Sequence, residues 1–144
     1  MLIAKESASL VHASQGDWQS MILYCDTSFL FSLYHYNAHS AAARKHAAKH
    51  FGFLSLSPFN RFELCNAFRF SEYCSVLSPG KSELYMPSFE KNVRTGCFAE
   101  CFCHLATILT EAHHISSRYT LEKRCRAFDI IHTATALHRR AKVF

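Results

Sequence analysis

Ile22-Leu23-Tyr24-Cys25-Asp26-Thr27-Ser28 is the stretch whose reading decides the fold. Four apolar, β-favouring residues end at a cluster of side chains that cap helices, so a buried strand runs directly into a helix. That helix carries Phe29, Leu30, Leu33 and Tyr34 at helical spacing. A second helix is expected from Ser40 through His50, rich in alanine, with Arg44, Lys45 and Lys49 interspersed and a stop at Gly52. Phe53-Leu54-Ser55-Leu56 reads as a second strand. Ser57-Pro58 then opens a helix in which Phe62, Leu64, Cys65, Ala67 and Phe68 make Glu63 an acid in apolar surroundings.

Further along, Ser78-Pro79-Gly80 breaks the chain, and Lys81 to Arg94 is expected to be helical with a kink or split at Pro87. Cys97 to Cys103 reads as a short extended segment and His104 to Ser117 as an amphipathic helix. Another helix follows from Arg126 to Arg139 with Phe128, Ile130, Ile131, Ala134 and Leu137 facing inward, and residues 141–144 begin like a strand. Strands alternating with helices imply an α/β fold, a sandwich with a parallel central sheet covered on both faces. Met1 to Ser20 show no clear period, and the expectation is a disordered arm or a product of gene prediction, with Met21 the natural start and the domain covering 21–144.

The 144 residues suit one domain, and 49% hydrophobic against 19% charged residues excludes a disordered chain. No apolar run approaches the roughly 20 residues of a membrane-spanning helix. A formal charge of +5 permits a nucleic-acid partner without requiring one. Seven cysteines without paired spacing read as reduced thiols, and the start of the chain lacks the apolar centre of a signal peptide, so the expected location is the cytoplasm.

In open α/β sheets the functional crevice lies at the carboxyl ends of the strands. Asp26 falls at such an end, Asp129 in the first turn of the last helix, and Glu63 in a helix that follows a strand at once. Convergent carboxylates there are hard oxygen ligands suited to Mg²⁺ or Mn²⁺ and to phosphodiester cleavage. Simpler readings stand beside this: Asp26 as a helix N-cap, and Asp129 as compensation for the helix dipole. Glu63 needs a partner if it is buried.

Ile22 to Leu30 followed by Leu33-Tyr34 and His39-Ser40, then Ser57-Pro58 with Phe62-Glu63-Leu64-Cys65-Asn66-Ala67-Phe68-Arg69, then Arg126-Ala127-Phe128-Asp129-Ile130-Ile131-His132-Thr133-Ala134 resembles PIN-domain proteins of the VapC toxin type. The resemblance runs in order from about Met21 to Phe144. It implies a Rossmann-like, three-layer α/β/α sandwich and a Mg²⁺- or Mn²⁺-dependent endoribonuclease of a type II toxin-antitoxin pair. It also implies a homodimer and a small VapB-like antitoxin as partner. Asp26, Glu63 and Asp129 match the family's acidic metal ligands; Thr27 or Ser28 would support Asp26 or a water on the metal, Asn66 would orient the site, and Arg126 would contact phosphate. The chain departs from the pattern at Asn37, where relatives often carry an acid. It departs again after Phe144, where the family continues into a Thr-x-Asp-like segment with another acid, so the expected domain lacks its last segment. The alternative is a catalytically impaired PIN-fold protein that only binds an antitoxin, a paralogue or RNA.

Cys97, Cys101, Cys103 and His104 match no paired zinc spacing. His113-His114 and His132 read as packed or surface histidines, with His132 one turn beyond Asp129. Phe59-Asn60-Arg61 and the group Arg124, Arg126, Arg139 and Arg140 read either as the lining of an RNA groove or as a solvated face.

Overall fold

The computed structural model describes residues 22–50 and 54–141. The arm expected over Met1–Ser20, the stop at Gly52 and the strand expected beyond Ala141 lie outside those residues. Among the described residues the elements are β1 (Leu23–Tyr24), α1 (Thr27–Tyr34), α2 (Ser40–Lys49), β2 (Leu54–Leu56), α3 (Pro58–Tyr73), α4 (Ser82–Arg94), β3 (Ala99–Glu100), α5 (Leu105–Lys123) and α6 (Ala127–His138). The fold is mixed α/β around a parallel sheet of order β1-β2-β3.

Leu23 pairs with Leu54, and Leu56 with Glu100. One further amide on each side lengthens the ladder, Cys25 N–H onto the Ser55 carbonyl at 3.0 Å and Cys101 N–H onto that of Leu56 at 2.7 Å. Because the strands are parallel, the chain leaves all of them at one edge, and there β1 runs into α1 at Asp26 and β2 into α3 at Ser57.

Successive strand residues point to opposite faces, and the core divides accordingly. Leu23, Leu54 and Leu56 belong to the larger cluster, with Leu30 of α1, Ala43 and Ala47 of α2, Leu64 and Phe68 of α3 and Phe89 and Val93 of α4. Tyr24, one residue after Leu23, packs instead with Cys101 and with Ala136 of α6. Between α5 and α6, Ile108 and Ala112 close on Ile130 and Ala134.

Three expectations are corrected. Pro87 does not split its helix: α4 runs unbroken from Ser82 to Arg94, because Pro87 itself is exposed while Phe89 and Val93 anchor the far side in the core. Tertiary packing outweighs the local penalty there. The helix expected to end at Ser117 continues to Lys123, since nothing from Arg118 onward breaks it until Arg124 takes a left-handed φ of 54° and its N–H closes on the Thr120 carbonyl at 2.8 Å. Leu137 is exposed, because the row of α6 that meets α5 ends at Ala134.

The fully buried Asn60 ties the strand ends together. Its Oδ1 accepts from the Ser57 N–H at 2.7 Å and the Ser57 hydroxyl at 2.9 Å, and its Nδ2 donates to the Cys25 carbonyl at 2.7 Å. Removing that amide strands a buried carbonyl and a buried N–H. Asn60→Ala is therefore expected to lower unfolding stability by about 2–4 kcal/mol, and Asn66→Ala on the exposed face of the same helix by under about 0.5 kcal/mol, both read from urea denaturation.

At the other end of α3, Glu72 accepts from the Gly80 N–H at 2.7 Å and the Ser82 N–H at 2.9 Å, securing the entry to α4. Hydrogen bonds from the Ser82 side chain and from these amides hold its carboxyl below the ordinary value of 4.5. A depressed folded-state value contributes stability above the unfolded value that is lost as pH falls through the folded one. Glu72→Gln is expected to be less stable than wild type at pH 7, with the gap closing as the pH is lowered from 4.5; chemical denaturation at stepped pH reads this.

Candidate functional site

Asp26 stands where β1 ends and α1 begins. Its Oδ1 accepts the Phe29 N–H at 2.7 Å, the N-cap bond, and both its oxygens accept from the Ser28 hydroxyl at 2.9 and 3.0 Å. Asp129 plays the matching part at α6, where its Oδ2 accepts the Arg126 N–H at 3.0 Å. Both simpler readings are thus realised, and neither exhausts the residue: Asp26, Asp129 and Glu63 all line one cleft of about 640 Å³ at the exit edge of the sheet. Thr27, Ser28, Arg126 and His132 line it as well.

Glu63 lies half-buried on α3 and does find partners. Its Oε2 accepts from the Thr27 hydroxyl and stands 2.6 Å from Nε2 of His132. His132 is buried, and its Nδ1 meets the Tyr24 hydroxyl at 2.8 Å. That hydroxyl in turn lies 2.7 Å from the Ser57 hydroxyl. Tyr24 is 1% exposed, and burial pushes its phenol far above the usual value, so it is a neutral hydroxyl throughout the working range.

The Thr27 hydroxyl bonds to Glu63 rather than to Asp26, while the Ser28 hydroxyl bonds to Asp26. Asn66 is exposed and outside the cleft lining. Within α3 the structural asparagine is Asn60. Arg126 lines the cleft, and no described carboxylate pairs with its guanidinium. Asn37 also lines the cleft and is engaged locally: its Oδ1 accepts the His39 N–H at 2.8 Å and its Nδ2 donates to the Ser32 hydroxyl at 3.1 Å. Arg61 is taken up by Glu90 at 3.0 Å and Glu100 at 3.1 Å. His132 is the residue that sequence reasoning undervalued. Its signal was its spacing, one turn beyond Asp129 on the same helix.

Among the described residues no three His, Cys, Asp or Glu side chains are grouped closely enough to hold a metal ion. The donor chemistry nevertheless suits a hard divalent cation, since the cleft offers carboxylate oxygens and room for the several waters that Mg²⁺ retains. Each carboxylate has about four acceptor positions, and the bonds described leave some free on all three. The cysteine-rich segment fits zinc less well. Cys101 and Cys103 bring their Sγ atoms to 3.9 Å, yet burial raises the Cys103 thiol to about 11, against the thiolate that a metal needs. Among the described residues no helix is long and apolar enough to cross a membrane.

The capping role of Asp26 is read from two variants. Asp26→Ala is expected to lose about 0.5–2 kcal/mol of stability with the cap, and Asp26→Asn, which keeps a capping oxygen, only a few tenths; urea midpoints measure both. No protein-family model and no curated protein matches this sequence.

Proposed function

We propose that this chain is a PIN-like, Mg²⁺- or Mn²⁺-dependent endoribonuclease of the VapC toxin kind, with a three-layer α/β/α architecture, a small VapB-like antitoxin as partner and a homodimer as its assembly. One observation carries the reading: Asp26, Glu63 and Asp129, far apart in sequence, line a single cleft at the carboxyl edge of a parallel sheet together with Arg126. The architecture is supported by the opposite packing of Leu23, towards α1 to α4, and Tyr24, towards α6.

When bound between those carboxylates, a divalent ion supplies activation of water and stabilisation of the charge that develops on a phosphodiester. The chain's own groups do the rest. Arg126 presents a planar fork matched to two phosphate oxygens. The Ser28 hydroxyl holds Asp26 in one rotamer, and Thr27 with His132 does the same for Glu63, so the acidic groups need little rearrangement on binding. The N-termini of α1 and α6 both open on the cleft, and their dipoles favour the anionic groups gathered there.

A second reading, a PIN-fold module that binds an antitoxin, a paralogue or RNA without cutting, is favoured by the engagement of Glu63 Oε2 with Thr27 and His132 and by the lack of a close three-ligand group among the described residues. The deciding experiment incubates the purified full chain with a mixed RNA pool and Mg²⁺ or Mn²⁺, beside EDTA and Asp26→Asn. Cleavage that EDTA stops, and that falls at least about 100-fold in the variant, is expected for the nuclease. A folded wild type that leaves RNA intact with either metal points to the binding module.

A further inference from the structure

A continuous line of buried hydrogen bonds leads from the backbone just before Asp26 to the carboxylate of Glu63, and its direction can be worked out link by link. Asn60 is oriented by its Nδ2, which donates to the Cys25 carbonyl at 2.7 Å, and by its Oδ1, which accepts the Ser57 N–H at 2.7 Å. Oδ1 can only accept, so the Ser57 hydroxyl, 2.9 Å away, spends its one proton there. Towards Tyr24, at 2.7 Å, the Ser57 oxygen is then an acceptor, and the Tyr24 hydroxyl must be the donor. Burial keeps that phenol neutral with a single proton. Its oxygen is left to accept from His132 Nδ1, 2.8 Å away, which therefore carries a hydrogen. Nε2 then meets Glu63 Oε2 at 2.6 Å, a separation that requires one proton between the two atoms, whichever of them bears it.

We infer that His132 is the positioning residue for Glu63: an imidazole whose Nδ1–H is fixed from Asn60 through Ser57 and Tyr24 aims Nε2 at Oε2 and leaves Oε1 turned to the cleft. The Thr27 hydroxyl donates to the same Oε2 and reinforces the choice. This arrangement resembles the outer partners that orient ligating side chains, whose loss typically costs 10–100-fold in metal affinity. Among the described residues the Glu63 carboxylate has no hydrogen-bond or ion-pair partner besides Thr27 and His132. The inference rests on the nuclease reading for the use made of Glu63, while the hydrogen-bond order stands apart from it.

The two are tested separately. Nitrogen NMR of the full chain with labelled histidine, free of metal, reads the ring directly. A hydrogen on Nδ1 of His132 in wild type, lost in Tyr24→Phe, is the expected result; a bare Nδ1 in wild type overturns the inference without recourse to any variant. Titration with Mn²⁺ alone then compares wild type, His132→Ala, His132→Gln and His132→Asn, with amide fingerprint spectra to confirm the fold. Affinity is expected to fall about 10–100-fold in His132→Ala and His132→Asn, and to recover in His132→Gln, whose amide nitrogen reaches the position of Nε2. Equal affinity in wild type and a folded His132→Ala overturns the positioning role. Failure of wild type to bind Mn²⁺ counts against the nuclease reading and against a metal-directed use of Glu63, and the NMR result still decides the hydrogen-bond order.

Discussion

The constraint on which this molecule depends is the need to satisfy every polar group buried where two short parallel strands end. β1 and β2 contribute few ladder bonds of their own, and the carbonyl of Cys25 and the amide of Ser57 lie beyond them in a region closed to water. Asn60 meets both needs with one side chain, and the Ser57 hydroxyl extends the bonding to Tyr24. A hydrophobic residue at position 60 would fill the same volume and leave both backbone groups unpaired, at a cost of about 1–3 kcal/mol each. The polar network is thus a condition for the strand-to-helix junctions, and those junctions hold the cleft.

The same economy shapes the cleft's charge. Were Glu63 free, three carboxylates would face one cation, Arg126, in a half-buried space. The bonds from Thr27 and His132 instead tie down one oxygen of Glu63, while Asp26, Asp129 and Arg126 line the same space. Both aspartates also draw stabilisation from the helix ends they cap. On the proposed reading, structural and chemical roles coincide here because capping and cation binding ask for the same group, a short carboxylate at the start of a helix. A capping aspartate is held in place by the fold itself, so its second oxygen acquires a fixed position at no additional conformational cost.

Much of this was legible in the sequence, and the limits follow from what periodicity records. The run from Ile22 to Ser28 announced strand, cap and helix because apolar residues and capping residues follow one another with no ambiguous position between them. The positions of Asp26, Glu63 and Asp129 at one edge followed from strand order and the rule for open sheets. Pro87 misled because a local backbone penalty is weighed against packing that a short window does not contain. Leu137 misled because helical spacing marks a face and cannot say where the neighbouring helix ends. His132 and Asn60 were undervalued for a third reason. Each acts through partners 35 to 108 positions away along the chain, and a polar residue's worth in a core depends on partners that only the fold brings near.

That dependence also explains why the histidine belongs on α6 rather than on the helix that carries Glu63. A partner on α3 itself, one turn away, would move with the glutamate and share its freedom. His132 is fixed independently, by Tyr24 on the sheet and by the packing of Ile130 and Ala134 on α5. The bond from His132 to Glu63 therefore joins two separately anchored elements across the cleft, and any loosening of α6 against the sheet is transmitted to the Glu63 carboxylate. Asp129, one turn before His132, sits on the same helix. Docking α6 thus sets two of the three acidic groups at once, and the third, Asp26, is set by the strand against which Tyr24 packs that helix.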